Sequence, residues 1–266
     1  MNYTLQEIAD ITRGELKGSC GEEITRIGMD SRTIQDPGNM LFLAIRGERH
    51  DGHQFLPELI ERGIRAFMVQ ELPPGDLISD SGACFILVKD PLKAMQDLAA
   101  YHRTRSGALV IGITGSNGKT IVKEWIHQVL SPDRQVVRSP KSYNSQVGVP
   151  LSVLLLEEDT HTAVFEAGIS RPGEMEKLQR IISPEIGLFT NIGEAHQEGF
   201  TDREQKIREK LRLFRTCRKI IYRRDQEDVD RMMRQEFSGD RLLTWSFGAE
   251  ADILAELRED PEEGMH

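Results

Sequence analysis

Residues 112–120 read GITGSNGKT, a segment with the composition of a phosphate-binding loop. The common pattern of such loops is G-x-x-x-x-G-K-[ST], but Ile113 stands where its first glycine would be. The chemistry still fits, because backbone N–H groups of a glycine turn can surround phosphates, Lys119 can lie along the β- and γ-phosphates, and Thr120 can ligate Mg²⁺. The alternative is a glycine turn that happens to hold a Lys-Thr pair. The predicted nucleotide-binding residues are Thr114, Gly115, Ser116, Asn117, Gly118, Lys119 and Thr120.

Further polar residues follow two later apolar segments. Glu166 ends TAVFE, Asn191 ends IGLFTN, and His196 closes TNIGEAH. Phosphoryl transfer requires Mg²⁺ held by oxygen ligands against the γ-phosphate. We therefore predict that Glu166 shares an ion with Thr120, and we add Asn191 to the nucleotide site. Glu166 could instead be a surface carboxylate at a strand end, and His196 an ordinary loop histidine, since Mg²⁺ prefers oxygen.

The elements around the loop make a phosphate site credible. Residues 108–114 (ALVIGIT) form an apolar, β-branched segment typical of a buried strand. After the loop, apolar residues recur at helical spacing and predict an amphipathic helix over 120–130. A helix that starts at the glycine turn directs its N–H groups and its positive end at bound phosphate. The apolar residues of this helix are Ile121, Val122, Trp125, Ile126, Val129 and Leu130.

The polar segment at residues 103–107 indicates a linker between two domains. Residues 1–105 are predicted to form a small mixed α/β domain, with helices at 5–11, 55–62 and 91–103 and strands at 41–45, 66–69 and 84–88. Residues 106–266 are predicted to alternate strands (109–114, 162–166, 186–190, 219–222, 242–245) with helices (120–130, 173–182, 203–214). Such alternation predicts a mainly parallel sheet that binds ligands at the carboxyl ends of its strands.

Composition excludes several classes of protein. The chain has 266 residues and a formal charge of -9, with a pI near 5.4, which argues against a nucleic-acid-binding surface. Its three cysteines are widely spaced and predict neither a metal site nor a disulfide framework. The N-terminal residues lack the pattern of a signal peptide, and no apolar stretch is long enough to span a membrane. We therefore expect a cytoplasmic protein without membrane insertion.

Taken together, the motifs resemble those of the Mur ligases, the ATP-dependent amide-bond-forming enzymes of peptidoglycan synthesis. The segments that carry the resemblance are TGSNGKT, NSQVGVPLSVLLL, EAGISRPGEMEKL, TNIGEAHQEGF and EQKIREKLRLF, in the order expected of the family. The loop's departure from the commoner pattern is a feature of this family. Two further features, MDSRTIQDPGNMLFLAIRGERHDGHQFL and the pairing of NSQVGVP with SRPGE, resemble the branch that adds D-alanyl-D-alanine to UDP-N-acetylmuramoyl-tripeptide.

The resemblance implies a role for particular residues. The first domain would hold the UDP part of the substrate, and Asn144, Arg171 and Glu174 would shape the substrate pocket. Lys119, Glu166, His196 and Lys210 would be catalytic, with Lys210 carbamylated and helping His196 to hold a second Mg²⁺. Considered without the resemblance, Lys210 is a solvated lysine, Arg32 a solvent-facing arginine and Glu174 a helix cap. The matching positions of the first domain are Ser31, Arg32, Gly47, Asp51, Gly52 and His53.

The implied reaction uses ATP to convert the tripeptide's terminal carboxylate into an acyl phosphate, which the amine of D-alanyl-D-alanine then attacks. Ligases of this family end in a third, Rossmann-like domain for which this sequence has no counterpart, so we expect a fragment of a longer enzyme with little activity alone. The helix EQKIREKLRLF resembles the form fused to alanine racemase. Alternatives are a ligase that adds diaminopimelate or lysine, a folylpolyglutamate synthase, and a non-catalytic nucleotide-binding module; the DSR-containing first domain argues against the folate enzyme.

Overall fold

The computed structural model describes residues 1–18, 21, 23–47, 51–193, 199–248, 250–256, 259–260 and 264–265. The chain forms two compact units, Met1–Arg105 and Ser106–His266. The predicted fold class, a small mixed α/β domain followed by a mainly parallel-sheet domain, is confirmed. Within the described residues, no helix has both the length and the apolarity needed to cross a membrane.

The first unit is built on a five-stranded sheet in the order β2-β7-β6-β5-β4. Strands β4 to β7 are parallel, and β2 is antiparallel to β7. The strands are β1 (Tyr3–Thr4), β2 (Glu15–Lys17), β3 (Glu23–Ile24), β4 (Arg26–Gly28), β5 (Met40–Leu43), β6 (Ala66–Val69) and β7 (Cys84–Leu87). The helices are α1 (Leu5–Thr12), α2 (Leu56–Glu61), α3 (Gly75–Asp80) and α4 (Pro91–Arg105).

Aromatic side chains pack against one another on one face of this sheet. Phe42, Phe67 and Phe85 lie on adjacent strands and are fully buried, and the rings of Phe67 and Phe85 stack with centroids 5.4 Å apart. Burying side chains of this size contributes roughly 1.5–3 kcal/mol each.

Cys84 is disulfide-bonded, which corrects the expectation of no disulfide framework, whereas Cys217 is a buried free thiol.

The second unit contains a seven-stranded parallel sheet in the order β14-β13-β12-β11-β8-β10-β9. Its strands are β8 (Leu109–Thr114), β9 (Val136–Arg138), β10 (Thr162–Glu166), β11 (Ile186–Phe189), β12 (Lys219–Arg223), β13 (Leu242–Ser246) and β14 (Ile253–Leu254), and a separate hairpin pairs β15 (Glu259–Asp260) with β16 (Gly264–Met265). The helices are α5 (Lys119–Leu130), α6 (Gly148–Val153), α7 (Glu174–Ile182), α8 (Arg203–Leu211) and α9 (Glu227–Glu236).

The register of this sheet brings three chain segments to one edge. Thr114 at the end of β8 pairs with Phe189 of β11, and Ile113 pairs with Glu166 of β10. Because these strands are parallel, the phosphate-loop segment, Glu166 and the segment that follows β11 leave the sheet side by side.

Helix α5 buries a narrower face than its sequence pattern suggests. Val122, Ile126 and Leu130 pack against the core formed by β8 and β10. The other half of the predicted stripe is exposed, including Trp125 with 62% of its surface accessible. The i, i+4 spacing of the two half-stripes is the same, so periodicity alone cannot tell which of them faces the sheet.

Candidate nucleotide and substrate site

The loop between β8 and α5 has a backbone that requires glycine at two positions. Gly115 has a φ of +146° and Gly118 a φ of +80°, both in the region that L side chains rarely adopt. A Cβ on Gly115 would also collide with the Thr190 hydroxyl. The loop is therefore an open turn that leads directly into the first turn of a 12-residue helix, where backbone N–H groups are available to an anion.

Residues that follow β11 hold this loop from one side. The carbonyl of Asn191 accepts a hydrogen bond from Ser116 N at 2.8 Å, and its Oδ1 accepts one from Asn117 N at 3.1 Å. The Thr190 hydroxyl donates to the Asn117 carbonyl at 2.6 Å. Asn191 was predicted as a nucleotide-binding residue, and its contacts in this structure are those of a residue that positions the loop.

Two lysine side chains converge on one carbonyl of the loop. Lys119 Nζ and Lys210 Nζ both donate to Gly115 O, at 3.0 and 2.9 Å. Lys210 is only 3% exposed, and burial, reinforced by the positive charges of Lys119 and Lys206, lowers its pKa to about 7. Burial also lowers the pKa of Lys119, an effect that the Glu166 carboxylate partly offsets. The alternative interpretation of Lys210 as a solvated surface lysine is therefore wrong, and an uncharged amine is accessible to it near neutral pH.

Glu166 is fully buried and lies against the Thr120 side chain. Thr120 Oγ1 donates to Glu166 Oε2 at 3.1 Å, so the two predicted Mg²⁺ ligands are neighbours. Lys123 Nζ lies 3.1 Å from the other oxygen, Oε1, at ion-pair distance but without good hydrogen-bond alignment. A buried carboxylate and a hydroxyl are the hard oxygen donors that Mg²⁺ takes. In the same loop, the buried Ser116 Oγ has no hydrogen-bond partner among the described residues.

The donor set suits a cation that is also coordinated by phosphate. No group of three or more His, Cys, Asp or Glu side chains with metal-site geometry occurs among the described residues. Mg²⁺ in phosphoryl-transfer sites is typically held by one or two protein ligands together with substrate phosphates and water. Thr120 and Glu166 fit that arrangement. His196 lies outside the described residues.

A cavity of about 830 Å³ opens beside the loop and joins the predicted nucleotide residues to the predicted substrate residues. Its lining includes Lys119 and Lys210 together with Asn144, Arg171 and Glu174. Asn144 comes from one segment and the Arg171–Glu174 turn from another, so the meeting of these two segments in one cavity is information that the sequence lacks.

Glu174 and Asn144 each have a local structural contact as well. Glu174 Oε2 accepts hydrogen bonds from Ser170 N at 2.7 Å and Arg171 N at 3.0 Å, so it closes the turn that precedes α7 and does not cap the helix, whose N-cap residue is Gly173. The Asn144 carbonyl accepts from Gly168 N at 2.8 Å, and its side chain packs against Gly168, where a Cβ would approach within 3.0 Å. Both residues are thereby fixed at the cavity wall.

The first unit gathers its predicted residues at the carboxyl end of its parallel strands. Ser31 and Arg32 lie in a 3-10 turn after β4, where Asp30 binds Arg32 through both carboxylate oxygens. The Arg32 side chain is 85% exposed, which makes it accessible to a ligand. Gly47 is part of the exposed segment after β5.

Hydrogen bonds hold the Asp51-Gly52-His53 segment in place. His53 Nδ1 bonds to Asp51 Oδ1 at 2.6 Å, and His53 Nε2 accepts a hydrogen bond from Gln70 N at 3.1 Å. Burial acts to raise the pKa of Asp51, but hydrogen bonds from His53 and Arg46 outweigh it and lower the pKa to about 2. A Cβ on Gly52 would come within 2.8 Å of Ala44 Cα, so only glycine allows this approach.

Lys123 and Lys206 were not predicted from the sequence, although both contribute to the site. Lys206 lines the cavity, and Lys123 is fully buried behind Glu166. The sequence carries no local signal for the burial of Lys123, because a lysine beside the apolar stripe of a helix is usually exposed. Its burial follows from which face of α5 packs on the sheet.

Comparison with known proteins identifies the family. Residues 113–266 match the Mur ligase middle domain, and residues 23–103 match the model described as Mur ligase family, catalytic domain. The chain belongs to the Mur ligase family. The resemblance first noted in the sequence motifs is thereby confirmed. The match to the middle domain begins inside β8, so it contains the phosphate loop, Glu166 and Lys210 of this Mur ligase chain.

Similar proteins include a D-alanyl-D-alanine-adding ligase and two solved MurF structures. The UDP-N-acetylmuramoyl-tripeptide–D-alanyl-D-alanine ligase of Bacillus subtilis is 32% identical over 266 residues, which is 99% of this chain and 56% of that protein. A crystal structure of MurF from Acinetobacter baumannii is 25% identical with a TM-score of 0.86, and the match covers all of this chain and 60% of that one. MurF from Thermotoga maritima, solved with ADP, is 26% identical with a TM-score of 0.76 over 90% and 54% of the two chains. The chain thus spans little more than half the length of the relatives it matches.

Proposed function

We propose that this chain is the N-terminal and central part of an ATP-dependent ligase that adds D-alanyl-D-alanine to UDP-N-acetylmuramoyl-tripeptide. The observation that carries the proposal is the single cavity that joins Lys119 and Lys210 to Asn144 and Arg171. A nucleotide loop and a substrate wall facing each other is what transfer of a phosphoryl group to a bound carboxylate requires. The activity that names the Bacillus subtilis relative supports the choice of substrates.

In the proposed reaction, the terminal carboxylate of the tripeptide attacks the γ-phosphorus of ATP, and the bond to ADP breaks. The product is an acyl phosphate, which the amine of D-alanyl-D-alanine attacks with release of phosphate and formation of the amide. Lys119 and the N–H groups of the first turn of α5 hold the phosphates, while Asn144 and Arg171 orient the peptide. Bound Mg²⁺, held by Thr120 and Glu166, would neutralise charge on the transferring group.

Lys210 has a further part in the proposal. Its pKa of about 7 leaves a large uncharged fraction near neutral pH, and an uncharged amine can add CO₂ to form a carbamate. The resulting carboxylate on a long stem is a hard oxygen donor suited to a second Mg²⁺, and His196 is its proposed partner.

The proposal also covers the binding of UDP by the first unit, the cellular location and the domains of the complete enzyme. Ser31, Arg32, Gly47 and the Asp51–His53 segment would bind the UDP part, since the exposed guanidinium of Arg32 suits a diphosphate. We propose a cytoplasmic location, although the Cys84 disulfide would be unusual in a reducing compartment. The complete enzyme would add a C-terminal ligase domain and, in the fused form, an alanine racemase.

Product analysis tests the function. The full-length ligase, given ATP, UDP-N-acetylmuramoyl-tripeptide and D-alanyl-D-alanine, should form the UDP-linked pentapeptide, detected by mass spectrometry. Residues 1–266 alone should bind the UDP substrate but form little pentapeptide. Amide formation with diaminopimelate or lysine instead would contradict the substrate assignment, and nucleotide binding without turnover of any amine would favour a non-catalytic module.

A further inference from the structure

Lys123 makes four polar contacts from a position with no solvent access. Its Nζ lies 3.1 Å from Glu166 Oε1 and 3.1 Å from Glu124 Oε1. It also donates to the carbonyls of Ser139, at 2.8 Å, and of Lys141. A buried lysine with this many partners is fixed in position, because removing it would leave a buried charge and buried carbonyls without partners.

The contacts of Lys123 join three segments of the site. Lys123 itself lies on α5, one turn after Lys119. Glu166 ends β10, and its backbone N–H also donates to Ser139 Oγ at 3.2 Å. The third segment, residues 139–144, carries Asn144 to the cavity. Lys141 within it has a φ of +48°, a strained conformation that persists only where the surroundings hold it.

The two oxygens of Glu166 are thereby divided between two partners. Lys123 occupies the side of Oε1, while Oε2 faces the Thr120 hydroxyl. A carboxylate held at both oxygens cannot rotate freely, so Oε2 is the oxygen presented to a cation beside Thr120.

We propose that Lys123 is a positioning residue, which fixes Glu166 with Oε2 directed to the Mg²⁺ site and anchors the 139–144 segment that carries Asn144. The inference rests on the proposed nucleotide function and extends it. One buried ammonium would align the metal ligand on one side of the cavity with the substrate-side segment on the other. Lys123 would touch neither the nucleotide nor the metal.

The first test compares ADP affinity with saturating Mg²⁺ and with EDTA, by isothermal titration calorimetry. In wild type, Mg²⁺ should strengthen ADP binding. In Lys123→Met this gain should fall by about tenfold or more, the factor expected for one charge-assisted contact. Metal-free affinity should stay within about threefold of wild type, because Lys119 and the loop amides are unchanged. General damage to the fold would instead weaken both affinities.

Glu124→Gln is the matched control, because it removes the other carboxylate partner of Lys123 and leaves Glu166 in place. This variant should keep the wild-type gain from Mg²⁺. If a folded Lys123→Met variant gains as much ADP affinity from Mg²⁺ as wild type does, the role of Lys123 is overturned but the nucleotide site is not. If the wild-type chain does not bind ADP, the nucleotide site on which the inference rests is overturned.

A crystal structure of the wild-type chain with Mg²⁺ and ADP provides a test that requires no variant to fold. The inference predicts that Glu166 Oε2 points to the metal while Lys123 Nζ stays within hydrogen-bonding distance of Oε1. Coordination of the metal by Oε1, or a Lys123 side chain withdrawn from Glu166, would overturn it.

Discussion

Replacing Lys210 with methionine should make the chain's stability less dependent on pH. In the folded state the pKa of Lys210 is about 7, against an ordinary value of 10.5, because burial disfavours the ammonium. Between those values the unfolded state binds more protons than the folded state, so wild-type stability rises with pH there. Below pH 7 Lys210 is protonated in both states, and burying its ammonium lowers the free energy of unfolding by the full cost, roughly 5 kcal/mol. Above pH 10.5 the cost disappears.

The Lys210→Met variant lacks this cost and retains a side chain of similar length. Its free energy of unfolding relative to wild type should therefore increase as the pH is lowered, by roughly 2 kcal/mol between pH 9 and pH 7. Between pH 7 and pH 6 the stability difference should change little further, because Lys210 is then largely protonated in both states. Lys177, an exposed lysine on α7, is the matched control, and Lys177→Met should show no such trend.

Urea denaturation in CO₂-free buffer without Mg²⁺ or nucleotide provides the measurement, because carbamylation or ligand binding would shift the same equilibrium. A stability difference between Lys210→Met and wild type that stays constant from pH 7 to pH 9 would refute the assignment of a depressed pKa. The chemical basis for a carbamate at Lys210 would then be lost as well.

Two further perturbations test the site and the packing beneath it. In the full-length enzyme, Lys210→Ala should lose most ligase activity, and added short-chain carboxylates should partly restore it by replacing the missing oxygen donor; full activity without any additive would argue against a carbamate. Gly187→Ala should lower the free energy of unfolding by roughly 1–3 kcal/mol, because the new Cβ would collide with the Phe214 ring. Gly107→Ala, which meets no atom within 4 Å, should change it by less than about 0.5 kcal/mol, and equal effects of the two substitutions would contradict this packing.

The sequence predicts the central sheet well because its strands are short, apolar and separated by helical patterns. The predicted strand 109–114 matches β8, and the predicted strand 162–166 matches β10. Strand β9 is only three residues long, and α6 contains a proline, so neither has a strong local pattern. Both depend on tertiary contacts for their conformation.

Residue type and spacing predict the loop and Glu166 as chemical groups, and the resemblance to the Mur ligases adds Lys210, but the burial of these groups depends on the fold. Lys210 lies at the end of a charged helical stretch. Periodicity cannot indicate that its ammonium reaches the carbonyl oxygen of Gly115, which is 95 positions earlier in the chain. Likewise, Asn191 looks like a ligand in the sequence, whereas its contacts hold the loop. Direct contacts with a ligand and contacts that position a neighbour use the same residue types, so only geometry separates them.

Titration of residues 1–266 with Mg²⁺ and ATP is the most direct test of the central claim that residues 114–120 form the nucleotide site. Isothermal titration calorimetry should detect binding to wild type, and Lys119→Ala should weaken it by about 10- to 150-fold, the range expected for the loss of one charge-assisted contact. Circular dichroism should show that the variant keeps the wild-type fold. Equal affinities of the two proteins for ATP, or no detectable binding by wild type, would contradict the assignment of the loop.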